Sequence, residues 1–126
     1  MTALRIDLVR VHDVLDDGGS DPAEHRVLVD RLWPRGIRKE RLQHDEWAKD
    51  AAPSTELRKD FHGGEIDFEE FAEHYRRELE RSGAAQTLRE SALEAGATRL
   101  VLLFAAKDIE HNHAQVLRDA VAEAGR

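Results

Sequence analysis

Residues 99–105, Arg99-Leu-Val-Leu-Leu-Phe-Ala105, make a near-continuous apolar run. A strand with one wet face would alternate polar and apolar side chains, whereas nothing polar interrupts Leu100 through Ala105. The run reads as a central strand covered on both faces, as strands of parallel sheets are. It is framed by helical patterns. Upstream, an amphipathic helix over about Ala84–Ala95 presents Leu88 and Ala92 inward and stops at Gly96, the usual left-handed residue after a helix. Downstream, Ala106–His113 reads as a loop or first turn. A closing helix then runs to about Ala124, carrying Val116, Leu117, Ala120 and Val121, with Gly125 as its stop.

Asp67 and Glu70 have capping-box spacing, and Phe68, Phe71, Ala72, Tyr75 and Leu79 fall on one stripe, so the strongest helix starts at Asp67 and closes at Ser82-Gly83. Pro53-Ser54 opens a shorter helix through Phe61, with Ser54 as N-cap. A second strand begins near His25 and takes in Val27, Leu28, Val29 and Leu32 before Trp33-Pro34 and Gly36 stop it. Leu4–Val11 is the first strand; its alternation shifts phase at Val9 and Val11, which implies a bulge or two covered faces. Asp16–Pro22 is turn chemistry. Ile37–Gln43 fits a short helix, and Asp45–Lys49 fits either a short strand or an irregular segment around a packed Trp47. These elements predict one α/β domain over residues 1–126: a mainly parallel sheet of about three to five strands flanked by helices.

A chain of 126 residues can bury roughly 65% of its unfolded surface without staples. The absence of cysteine excludes disulfides, thiolate–zinc sites and a thiol nucleophile, and fits a reducing compartment. No apolar run approaches the ~20 residues of a membrane span, and the first residues lack a signal-peptide pattern. The expectation is a soluble, cytoplasmic protein that does not engage membranes. The formal net charge of -7 opposes indiscriminate binding to nucleic acid. Locally the sign reverses: Arg26, Arg31, Arg35, Arg38, Lys39 and Arg41 face only Asp30 and Glu40 within residues 26–41. Such a confined patch suits a small anion better than a long polyanion, and three of these cations also fit the solvated face of a short helix.

Two strand-to-helix junctions therefore carry the polar chemistry, and they meet if their strands are parallel neighbours. At the first, Arg31 and Arg35 flank Trp33-Pro34 and offer guanidinium forks to a carboxylate or phosphate, with Asp30 as orienting partner or base. At the second, Lys107 supplies a point charge. Asp108 caps the last helix or acts as a base, and the helix N-terminus adds backbone donors. Asn112 and His113 contribute hydrogen bonds, and His113, on one face with Leu117 and Ala120, is either half-buried support or an acid–base group. His111-Asn112-His113 lacks the ββα-metal frame of an HNH nuclease. A metal would need a third ligand from His62, His44 or Asp108, and no spacing selects one, so no metal site is assigned. Tyr75 reads as core.

Val29-Asp-Arg-Leu-Trp-Pro-Arg-Gly36, Trp47, Ala52-Pro-Ser54, Arg58 with Phe61, Phe71 with Tyr75, Ala105-Ala-Lys-Asp108 and Glu110–Leu117 together resemble the YeaO-like branch of domain-of-unknown-function family 488. The resemblance spans nearly the whole chain and implies a compact bacterial α/β domain with no established activity. Other branches of that family place a cysteine near the end of the last strand and a Cys-His-Arg run at the following helix. Here Ala105, Ala106 and Asn112-His113-Ala114 stand in that region, so any thiol chemistry is lost.

The leading expectation is a small phosphate- or carboxylate-bearing ligand, a nucleotide among the options, at the C-terminal edge of the sheet. Arg31, Arg35, Lys107 and Asn112 would bind it; Asp30, Asp108 and His113 would serve in any hydrolysis or group transfer. The alternative is a binding module that recognises nucleic acid or an acidic protein segment through residues 26–41, with no catalysis. A third reading makes Asp30, Arg35 and Asp108 an internal ion-pair network. Cofactor and oligomeric state are left open.

Overall fold

The computed structural model describes residues 4–18, 21–108 and 111–125. Strands β1 (Arg5–Arg10), β2 (Glu24–Leu28), β3 (Glu46–Trp47) and β4 (Arg99–Phe104) form one all-parallel sheet in the order β1-β4-β2-β3. Helices α1 (Thr55–His62), α2 (Phe68–Ser82), α3 (Ala84–Glu94) and α4 (His113–Ala124) complete the regular structure. The apolar run at residues 99–105 is the interior strand β4, as its composition requires.

The helices start where their caps dictate. Ser54 Oγ accepts Leu57 N–H at 3.2 Å, and Asp67 Oδ1 accepts Glu70 N–H at 2.8 Å. Gly83, at φ 71°, makes the left-handed link between α2 and α3 that a β-carbon would oppose. Residues 39–41 form a 3-10 turn in place of the expected short helix. The second strand is shorter than its apolar letters suggest: β2 ends at Leu28, Val29 stays buried, and Leu32 is 60% exposed because the chain has already left the sheet.

All four helices cover one face. Leu57, Phe71, Tyr75, Leu88, Val116, Leu117 and their neighbours pack with Val27, Leu100, Leu102 and Phe104. The other face is covered by connecting chain alone: Ile37 and Leu42, with Val14, Leu15, Trp33 and Trp47, lie over Leu28, Val101 and Leu103. Topology accounts for this asymmetry. Going from β1 to β2 and from β2 to β3 moves the same way across the sheet, and going from β3 to β4 moves back. With right-handed crossovers, both forward steps take one face and the return takes the other. The forward connections, residues 11–23 and 29–45, form only 3-10 turns and loops among the described residues, so turns and the indoles of Trp33 and Trp47 do the covering.

The phase shift in the first strand has two covered faces as its cause. Pairing is regular from Arg5↔Arg99 to Arg10↔Phe104, with no bulge. Ile6 and Leu8 pack with the helical layer and Val9 and Val11 with the loop layer. Asp7, on the loop side, instead joins a ladder across three strands. Its Oδ2 accepts Arg99 Nε at 2.6 Å and Arg5 Nε at 2.9 Å, and Arg99 bonds Glu24 at 2.8 Å. Glu24 and Asp17 then hold Arg26, at 3.3 and 2.7 Å.

Candidate functional site at the ends of β2 and β4

β2 and β4 pair in parallel, so the two polar junctions do meet. After β2 the chain turns to the loop face and after β4 to the helical face. A crevice opens where adjacent connections diverge in this way. It holds a cavity of about 400 Å³, reached by Asp30, Arg31 and Leu32 from one junction and by Ala106 through Asp108 and His111 through His113 from the other. Pro53, Arg58, Phe61, His62 and Phe71 supply the remaining wall.

Asp30 does not pair with an arginine. Its Oδ2 accepts Ala105 N–H at 3.1 Å, its carbonyl accepts Trp47 Nε1–H at 2.8 Å, and its buried Oδ1 lies 3.1 Å from His113 Nε2. That imidazole nitrogen donates to Val29 O at 3.0 Å. Its single proton is aimed at the carbonyl, which leaves Oδ1 with the ion-pair distance but no well-directed hydrogen bond. Asp30 thereby pins the end of β2 to the end of β4 and to α4. Arg31 lines the cavity, yet its Nε and one terminal nitrogen donate to Pro53 O at 3.0 Å and Ala52 O at 3.4 Å. Arg35 is exposed and does not line the cavity, and among the described residues it forms no ion pair with Asp30 or Asp108.

Lys107 and Asp108 are exposed at the rim. Asn112, not Asp108, caps α4: its Oδ1 accepts Ala114 N–H at 2.9 Å and Gln115 N–H at 3.3 Å, while Nδ2 donates to Asp108 O at 2.8 Å. Asp108 accepts His111 N–H at 2.9 Å. The carboxamide therefore occupies two donors that the sequence reading offered to an anion, and with both of its ends engaged Asn112 acts as a scaffold. Tyr75 is fully buried, with its hydroxyl donating to Ala51 O; burial and the nearby Glu78 and Asp30 push its phenol well above the usual range. No group of three metal-ligating side chains converges among the described residues.

The residue that sequence reasoning did not assign to the site is Arg58. No hydrogen bond or ion pair reaches its side chain among the described residues, and its Nε is buried without a partner. The available signal was its position three residues before Phe61, which places both on one face of α1. Phe61 stacks on Phe71 at 4.6 Å, and Phe68 meets His111 edge-on at 5.2 Å, so the guanidinium stands beside an aromatic wall.

The basic stretch is less basic in three dimensions. Arg26 is buried against Asp17 and Glu24, Arg41 bonds Asp16 at 2.8 Å, and Arg31 serves carbonyls. Arg35, Arg38 and Lys39 are left exposed, with Lys39 lying 5.9 Å over the Trp33 ring.

The family described as the inactive DUF488-N3 subclade matches residues 5–126. The chain belongs to that subclade. Among relatives of this DUF488-N3 member, the uncharacterized protein YeaO of Escherichia coli K12 is 50% identical over 103 residues, 79% of this chain and 88% of the relative. The uncharacterized protein Rv3073c of Mycobacterium tuberculosis H37Rv is 41% identical over 109 residues, 86% and 89% of the two chains. No solved structure matches. No helix among the described residues is long and apolar enough to cross a membrane.

Proposed function

We propose that this protein binds a small phosphate- or carboxylate-bearing molecule in the cavity at the ends of β2 and β4, without turning it over. The observation that carries the reading is Arg58: a guanidinium whose Nε is out of water and has no acceptor costs more than a lost hydrogen bond, and an anionic ligand removes that cost. Lys107 adds charge at the rim, and the phenylalanine wall accepts an apolar or flat body. Absence of turnover is supported by the family's description as inactive and by Ala105 and Ala106 at the end of β4, where other branches of the family carry a thiol. The His113–Asp30 pair favours one further reading, acid–base hydrolysis or group transfer, with Asp30 holding the imidazole as in other carboxylate–histidine pairs.

A thermal-shift screen of wild type and Arg58→Ala against inorganic phosphate, nucleoside monophosphates and small carboxylates tests the proposal. A ligand at a hundred times its dissociation constant stabilises by about 2.7 kcal/mol, a shift of several degrees. The expected result is a hit that disappears in Arg58→Ala. Hits that persist undiminished in the variant, or no hit in any class, overturn it. Product formation from a bound ester that His113→Ala abolishes would establish the catalytic reading instead.

A further inference from the structure

Resting on that reading of the cavity, the geometry of His113 narrows the ligand class. Nε2 lies between two acceptors, Val29 O at 3.0 Å and Asp30 Oδ1 at 3.1 Å. A lone pair there would face two oxygens, so Nε2 carries a proton, and with that proton alone on the ring the lone pair is on Nδ1. Among the described residues Nδ1 has no partner. That atom is not fully buried, and the His113 side chain lines the cavity. Of its immediate polar neighbours, Asn112 is engaged at both ends and Asp30 Oδ1 is buried.

We infer that the ligand is an anion that also carries a hydroxyl or N–H donor, its carboxylate or phosphate on Arg58 and its donor on His113 Nδ1. Hydroxy acids, amino acids and sugar phosphates share this chemistry; simple acids lack the donor.

Calorimetric titration with 3-phenyllactate and 3-phenylpropionate, which differ by one hydroxyl, tests the inference. Wild type is expected to prefer phenyllactate by roughly five- to tenfold, the scale of one neutral hydrogen bond. His113→Gln keeps a side-chain N–H for Val29 O and deletes the Nδ1 acceptor, so the preference should collapse toward unity. Long-range ¹H–¹⁵N correlation spectra of the unliganded protein should show His113 protonated on Nε2. Equal wild-type affinity for the two acids, a preference that survives in His113→Gln, or a proton on Nδ1, in the neutral ring or the imidazolium, overturns the inference and leaves the Arg58 reading standing. Binding of neither acid, or binding undiminished in Arg58→Ala, removes the anion reading itself. Replacing the pair by alanine and propionate, and by glycerol phosphate and ethyl phosphate, separates amino acids from phosphates as the natural source.

Discussion

The helix-covered and loop-covered faces of the sheet bury the same strands by different chemistry. On the helical side the contacts are apolar throughout, from Leu100, Leu102 and Phe104 to the stripes of α2 and α4. On the loop side only the C-terminal halves of the strands are apolar, under Trp33 and Trp47, and the N-terminal halves carry three arginines and two carboxylates in one ladder that Asp17, from the β1–β2 connection, completes. A helix stripe covers a strand along its length, whereas a connection of a dozen or so residues covers part of it. The uncovered part is occupied by charged side chains that satisfy one another and keep their ends near water. The loop face thus depends on pairing where the helical face depends on volume, and that difference is open to measurement.

The largest expected effect is on the helical face. Leu102 is fully buried there, and Leu102→Ala should cost about 3–4 kcal/mol in chemical denaturation, from lost transfer energy plus a cavity. A loss near 1 kcal/mol would mean that this face is loosely packed and that the contrast between faces is overstated. Next comes Arg26, 8% exposed in its side chain, whose removal leaves Glu24 and Asp17 facing each other across the gap. Arg26→Ala should cost about 2–3 kcal/mol, somewhat less than breaking a fully buried pair because Asp17 is partly wet. Arg26→Ala combined with Glu24→Gln should recover part of the loss; simple addition of the two effects would show that no ladder exists.

The smallest effect is a pH dependence. Burial pushes the Asp7 carboxyl up, but hydrogen bonds from Arg99 and Arg5 and their charges outweigh it and hold the group below its ordinary 3.8. A carboxyl depressed in the folded state contributes stability that is present above 3.8 and is lost as pH falls through the lower folded-state value. Acid titration of stability should therefore be shallower at its acidic end in Asp7→Asn than in wild type. Superimposable curves would place the ladder among surface ion pairs of no consequence.

Several features were legible because they depend on neighbouring residues alone. The caps at Ser54 and Asp67, the stripe of α2, the stop at Gly83 and the apolar run of β4 are each local, and each sits where its chemistry requires. Tyr75 as core and the partial burial of His113 follow from helical spacing in the same way. The site was legible only in outline. Parallel pairing of β2 and β4 brings the two junctions together, but which side chains converge depends on partners distant in sequence. Arg31 was a sound candidate until Ala52 and Pro53 offered it carbonyls, and Arg35 lies outside because the chain leaves the sheet at Val29 rather than at Leu32. Asn112, not Asp108, took the cap because its carboxamide can accept from α4 and donate to Asp108 O at once.

By itself, then, the sequence determined the four helices, the strand at the centre, a mainly parallel α/β class and the lack of any thiol, because periodicity, capping and composition act over a few residues. Tertiary structure alone decided which face received helices, which cations were neutralised and which arginines, Arg10 and Arg58, were left with a buried Nε that has no acceptor. Those outcomes rest on crossover direction and on side chains tens of residues apart competing for the same oxygens, and no local pattern records the result of that competition.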